Sequence, residues 1–517
     1  MRRLSPALFL LILGCRPPQV TAEMTLLVGR PADAITLDPA RAYDTDSAEV
    51  CEQIYDKLVR YKRRTLEIEP ALAERWTVSP NGTEWTFSLR RGVTFHDGSR
   101  FDADAVLFNL ERQRDGAHPY HEADFASWEA AFRNVARLEK IDDFTVRLVI
   151  ERPYAPFLAN LAVYGMGMVS PAAVRRWGHG YAQHPVGTGP FRLVEWSHGD
   201  RITLERNPDY WDGPPAIGHL VFLPIHGARQ RLVAIEGGAI DVAERLAPED
   251  LQFVALHPEL KIERVAGNNV SYLAMNTGHA PLDDPRIREA ISHAINKMPI
   301  VKMVYQGLAL SATGALAPSS WAHIDLEERA YDPMLARRLL REARFVPPKA
   351  PLKLLVMSTP RDYLPSPEKV ARIIAHNLAE VGVPVEIIAH PLAEHLRRTS
   401  AGEHDLCLLG WSGDNGDPDN FLYTLFDGDN ATPGNARNVA FLRDPKLHGL
   451  LRWAQETEQQ DQRMRYYAEA QRSIAAQTPW VPLAHAQVVL THRTHVSDIE
   501  VTPSSTSYFH HAVLEPR

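Results

Sequence analysis

Two short runs in the second half of the chain are apolar with little alternation. Leu352-Lys353-Leu354-Leu355-Val356-Met357 is bounded by Pro351 and by Ser358-Thr359-Pro360, and Leu406-Cys407-Leu408-Leu409 runs into Gly410-Trp411. Runs of this length and pattern read as mostly buried strands, with Lys353 reaching solvent near the start of the first. Between them, Pro starts a helical stretch at 367–381 and a further strand occupies 384–389. Strand, helix, strand and strand in this order constrain the region to an α/β lobe.

The segment after the second run is chemically distinctive. Beyond Gly410-Trp411 comes a loop carrying Asp414, Asp417 and Asp419, with Asn415, Gly416 and Pro418 between them. A strand fixes a position and the loop after it supplies groups, so carboxylates beside an aromatic at a strand end have the geometry of a ligand site. A solvated acidic turn accounts for the same residues, since Asp, Asn, Gly and Pro are all turn formers. A calcium loop does not, because Pro418 interrupts the ligand spacing that such a loop needs.

With 517 residues, 45% hydrophobic and 23% charged, the chain has a globular composition and the length of two or three domains. Its net charge of −8 is spread without a basic face, which argues against nucleic-acid binding. At the N-terminus, Arg2-Arg3 precedes the apolar stretch 8–13, too short to span a bilayer. Residues 1–22 therefore read as an export signal. Ile12-Leu13-Gly14-Cys15 resembles a lipobox, which would make Cys15 a lipidation site and anchor the protein to the membrane, although Leu13 replaces the usual small residue. Cleavage after Val20-Thr21-Ala22 is the competing reading. Cys51 and Cys407 then remain, two buried thiols or one disulfide. The 22 histidines, among them His118, His121, His510 and His511, fall in no cluster with metal-ligand spacing. No nucleophile elbow, Walker sequence or zinc-protease helix is present, so catalysis has no support.

The first half supplies clear local signals. Residues 24–28 read as a strand and 47–58 as a helix capped by Ser47. Ser79-Pro80-Asn81-Gly82 between two alternating runs marks a hairpin, and Asp102 caps a helix over 102–112. Together, residues 72–112 form a run of hairpin, Leu89-Arg90-Arg91-Gly92-Val93, His96-Asp97-Gly98 and Ala103-Asp104-Ala105-Val106-Leu107-Phe108. This order resembles the extracellular solute-binding proteins of peptide and nickel ABC importers. Val186-Gly187-Thr188-Gly189-Pro190-Phe191, Asn207-Pro208-Asp209-Tyr210-Trp211 and Gly237-Gly238-Ala239-Ile240-Asp241 extend the resemblance along the chain.

The resemblance implies an α/β, two-lobed periplasmic-binding-protein fold, hinged between the lobes, with an extra subdomain in the first. The expected divisions are 24–275 for lobe I, 276–484 for lobe II and 485–517 for a return segment completing lobe I. In the dipeptide-binding members an arginine holds the ligand carboxylate and an aspartate its ammonium. Arg361 and Asp414 occupy the matching motifs, with Tyr363 as the aromatic limiting ligand length and Trp411 as a wall. Gly410, Ser412 and Gly413 complete the segment, while Asp417 and Asp419 are expected to hold the loop. A surface arginine beside Asp362 and a core tryptophan are the plainer readings of Arg361 and Trp411. The implied function is capture of short peptides by a monomer for delivery to ABC permease subunits, with no cofactor. Haem, a nickel complex or another solute, or a sensor role at a membrane receptor, are the alternatives on the same fold.

Overall fold

The structure, a computed structural model, describes residues 24–125, 132 and 134–515. The expected export signal 1–22, with Cys15, lies outside the described residues. Among those described, no helix is long and apolar enough to cross a membrane.

Four hydrophobic cores lie among the described residues, and the three largest mark out the lobes and the extra subdomain. The first gathers Leu26, Val28, Val50, Phe222 and Phe509. A second, around Trp85, Phe87, Phe95, Phe101 and Phe157, belongs to the extra subdomain. The third and largest contains Leu354, Val356, Leu406, Leu408 and Tyr467. The two-lobed α/β fold is thus present, with the extra subdomain on the first lobe.

In the extra subdomain, strands Ala73–Val78 and Glu84–Leu89 pair across the Pro-Asn-Gly turn, where Gly82 takes φ +70°. Helix Ala103–Arg114 packs against this sheet, and its cap is Asp102, accepting from the Ala105 N–H. The helix at 45–54 departs from expectation. Its cap is Asp44, and the Ser47 hydroxyl instead accepts from the Ile35 and Thr36 backbone N–H groups.

The second lobe centres on Leu352–Met357, which pairs in parallel with Val385–His390 on one side and Leu406–Ser412 on the other. Leu406–Ser412 is longer than expected. The strand continues through Gly410 and Trp411, pairing with Asn269–Met275 along its whole length.

That partner strand relocates the crossing between lobes. Asn269–Met275, expected at the end of lobe I, pairs on both sides inside lobe II. Leu260–Ala266 pairs instead with the distal half of Trp480–Arg493, residues 487–493. The chain therefore crosses at Gly267-Asn268, and crosses back inside the single long strand Trp480–Arg493. The terminal segment returns to the first lobe, where the Gln53 side chain bonds the backbone of Ser507 and Phe509.

Cys51 and Cys407 are buried free thiols in different cores, so no disulfide joins them.

Candidate functional site

Because Leu352–Met357 and Leu406–Ser412 are adjacent and parallel, their C-terminal ends emerge on one edge of the sheet. The loops after them lie side by side, which is where an open α/β sheet offers its ligand crevice.

The first loop is a tight turn. Arg361 and Leu364 exchange two backbone hydrogen bonds, at 3.1 and 2.8 Å. The turn buries Tyr363 and Leu364 and leaves Arg361 and Asp362 exposed. The Tyr363 carbonyl accepts from the Tyr305 hydroxyl at 2.7 Å, and that hydroxyl also meets Ser271 Oγ at 2.8 Å. Burial raises the Tyr363 phenol pKa, while the Arg361 charge and hydrogen bond oppose the rise. Arg361 is thus held beside the phenol, with its guanidinium open to the cleft.

The two loops interlock at Gly410. A Cβ there would overlap the Tyr363 ring and come 2.7 Å from the Val270 carbonyl oxygen. Glycine is required because the ring sits directly on the backbone. Gly410→Ala is expected to cost about 1–3 kcal/mol through this overpacking. It should also shift the Arg361 turn, so a melting curve and a ligand titration should both register the change.

In the second loop Gly413 donates to the Asn268 carbonyl at 2.8 Å, and Ser412 is exposed. Asn420 organises the rest. Its Oδ1 accepts from Trp411 Nε1 at 2.8 Å and from the Asp414 N–H at 3.1 Å, and its Nδ2 donates to Asp414 Oδ2 at 3.3 Å. Trp411 is half-buried, with the Arg437 guanidinium 5.8 Å from its ring centre. The Asp414 side chain is exposed through the cleft but closely walled by protein. Loss of surrounding water raises its pKa, against the Asn420 hydrogen bond and the Arg437 charge.

The first lobe faces this loop closely. Tyr164 is pushed up to about 12 by burial and by the charges of Asp414 and Asp44. Asp44 caps its helix with Oδ1, while its Oδ2 is buried with no hydrogen-bond partner. Of its neighbours in the chain, Ala42 is buried and Tyr43 is 70% exposed. The loop is also bolted across the lobes. Gly416 donates its N–H to Tyr61 Oη at 2.9 Å, Asn415 Nδ2 to Asn160 Oδ1 at 2.7 Å, and Tyr154 Oη to Asp419 Oδ2 at 3.1 Å. Asp417 Oδ1 accepts from the Asp419 N–H and from Arg463.

The seven sequence-derived residues, from 361 to 414, lie at the C-terminal ends of two adjacent strands and in the loops after them, with Tyr363, Gly410 and Gly413 buried and Arg361, Ser412 and Asp414 exposed. Sequence reasoning missed Asn420 and Tyr164, which have no local motif. Elsewhere, Asp427, Asp429 and His448 lie near one another, with His448 Nδ1 within hydrogen-bond reach of the two Asp427 oxygens at 3.1 and 3.0 Å.

Residues 67–433 match the family described as "Bacterial extracellular solute-binding proteins, family 5 Middle". The chain is 35% identical over 511 residues to Di/tripeptide-binding protein 2 of Pseudomonas aeruginosa (strain UCBPP-PA14), covering 95% of each. It is 32% identical over 452 residues to Heme-binding protein A of Haemophilus influenzae, covering 84% of this chain and 82% of the relative. Among solved structures it resembles the periplasmic binding protein DppA from Helicobacter pylori in complex with peptide STSA. There the TM-score is 0.79 and the identity 31%, covering 96% of this chain and 99% of that one. Since the matched stretch takes in residues of both lobes and the extra subdomain, the chain belongs to the bacterial extracellular solute-binding proteins of family 5.

Proposed function

We propose that the protein captures free short peptides, dipeptides foremost, between its lobes and delivers them to the permease of an ABC importer. One observation carries this reading. An exposed guanidinium, Arg361, and an exposed carboxylate, Asp414, lie in the loops that follow two neighbouring parallel strands. A free peptide has these charges in reverse, a carboxylate at one end and an ammonium at the other. Arg361 can grip the carboxylate with two parallel charge-assisted hydrogen bonds. Asp414 meets the ammonium, and the unpartnered Asp44 Oδ2 across the cleft supplies a further acceptor. Backbone ends are common to all peptides, so such a site accepts many sequences.

A haem-binding relative of comparable identity means that the site, not the family, must decide the ligand. Two opposite charges suit a zwitterion. Isothermal titration with Ala-Ala and with N-acetyl-Ala-Ala is the direct test. The free dipeptide is expected to bind on the order of 100-fold more tightly, because acetylation leaves Asp414 facing an uncharged amide. Equal binding of the two would sink the ammonium assignment.

The same reading has Cys15 lipidated after export and the protein held at the outer face of the inner membrane. Cells fed an alkyne fatty acid are expected to label the wild type and not Cys15→Ser, which should leave the membrane fraction. An unlabelled wild type would favour cleavage after Ala22.

A further inference from the structure

The cleft does not end at Arg361. Past it, between the lobes, lies a cavity of about 420 Å³. That is within the range of small-ligand pockets, roughly 300–1,000 Å³. Arg361 and Asp362 line it from the second lobe, and Glu49, Glu244, Arg245 and Glu249 from the first.

The charges around this space do not balance. Asp46, Arg30 and Arg231 stand behind the first-lobe wall, so five carboxyl groups face four guanidiniums. Three of the four cations are already engaged, Arg231 by the Ile225, His226, Glu244 and Arg245 carbonyls. Arg30 is fully buried and lies 3.2 Å from Asp46, 3.3 Å from Glu49 and 3.8 Å from Glu244. Arg245 pairs with Asp46 and lies 3.3 Å from Glu244. Burial works against the Arg245 charge, yet Glu244, Glu49, Asp46 and Asp362 together hold its pKa above the ordinary arginine value. Arg245 also takes φ +48°, a left-handed conformation that a bulky residue adopts only when its surroundings compel it.

Acceptors are left over. Glu244 is 3% exposed, its buried Oε1 receives no N–H or hydroxyl donor, and the partner left to the side chain is the Glu49 carboxyl. Burial first, and then Glu244, raise the Glu49 pKa well above the ordinary carboxylate range, against Arg30 and Arg245. Gln487, on the same lining, has an orphaned side-chain oxygen as well. An amide can turn over, so the Glu244 carboxylate decides the sign of the site.

We propose that this cavity is a subsite for a cationic side chain, so that the protein prefers peptides whose C-terminal residue carries an ammonium or guanidinium group. The inference rests on Arg361 as the carboxylate anchor. A ligand carboxylate at Arg361 puts the C-terminal side chain at the mouth of the cavity and neutralises the one cation still open. A lysine or arginine side chain then meets an excess of fixed carboxylates. Its donors reach Glu244 Oε1 and relieve the crowding of Glu244 against Glu49. The fixed carboxylates offset the cost of stripping water from the incoming cation.

Isothermal titration with Ala-Ala, Ala-Lys, Ala-norleucine and Ala-Glu tests this. Norleucine keeps the length of lysine without its charge. Ala-Lys is expected to bind about tenfold or more tightly than Ala-norleucine, and Ala-Glu to bind worst. Glu244→Gln and Asp362→Asn should each lower the ratio between Ala-Lys and Ala-norleucine. Reading a ratio within one variant cancels general damage, and exposed Asp362 serves if the buried Glu244 variant fails to fold. Equal binding of Ala-Lys and Ala-norleucine, or a ratio unchanged in the variants, overturns the subsite and leaves peptide capture standing. Failure of the wild type to bind any of the four overturns the peptide reading itself, and the subsite with it.

Discussion

Arg361→Ala is expected to weaken binding of a free dipeptide by on the order of 100-fold, and Asp414→Ala by a similar factor. The size comes from what each truncation leaves behind. With Arg361 gone, the ligand carboxylate is enclosed between the lobes with no cation to meet it, and an enclosed unpaired charge costs far more than a lost surface contact. Folding should be little affected. Arg361 is exposed, and its turn is fixed by backbone bonds to Leu364 and by the buried Tyr363. Arg361→Lys should recover only part of the loss, because an ammonium lacks the fork that grips both carboxylate oxygens. The Asp414 arm has an internal control. If Asp414 meets the ligand ammonium, Asp414→Ala should reduce affinity for Ala-Ala and have little further effect on N-acetyl-Ala-Ala. Wild-type dipeptide affinity in both variants would place the anchors elsewhere and refute the site.

How much of this was legible in the sequence depends on the range of the interactions. Local rules held where the determinants are neighbours. Pro-Asn-Gly makes its hairpin, Asp102 caps its helix, and Leu352–Met357 and Leu406–Ser412 are buried strands. The two loops that carry Arg361 and Asp414 could be found because each comes directly after its strand. Where a distant group intervenes, the local reading failed. Gly410-Trp411 has the composition of a strand end, but the Tyr363 ring covers Gly410 and lets the pairing continue. Ser47 has the chemistry of a helix cap, but its hydroxyl is taken by Ile35 and Thr36 and Asp44 does the capping. The lobe crossing sits at Gly267-Asn268 because Asn269–Met275 finds partners some 140 and 210 residues away, a pairing that no local period reports. The acid-rich cavity wall is likewise invisible in sequence. Glu49 and Glu244 meet through the packing of the first lobe, and Asp362 joins them only when the lobes face each other.

The largest loss of stability is expected from Arg463→Ala, at about 3–5 kcal/mol, since it removes one partner of a buried pair. Arg463 and Asp417 lie 2.7 Å apart, with side chains only 7% and 6% exposed. Arg463 also donates to the Ala454 carbonyl and sits 5.2 Å from the Trp321 ring centre, so its loss strips packing as well as charge. The stranded Asp417 would then stand next to Asp419, itself buried and pushed up to about 7 by burial and by the Asp417 charge. The combined variant Asp417→Asn with Arg463→Met leaves no lone charge and should be less destabilised than Arg463→Ala alone. The pH behaviour runs in a definite direction. Asp419 binds its proton more tightly folded than unfolded, where an aspartate titrates near ~4. The stability it contributes is therefore complete below that value and is lost as pH rises through about 7. The Tyr154 hydroxyl and the Gln455 amide donate to this carboxylate and favour its ionised form, so they oppose the rise without cancelling it. Urea unfolding between pH 5.5 and 8 should show the midpoint falling as pH rises, and Asp419→Asn should flatten that slope. A slope unchanged in Asp419→Asn would assign the titration to another group, and an Arg463→Ala midpoint equal to wild type would mean that the pair contributes nothing to the lobe.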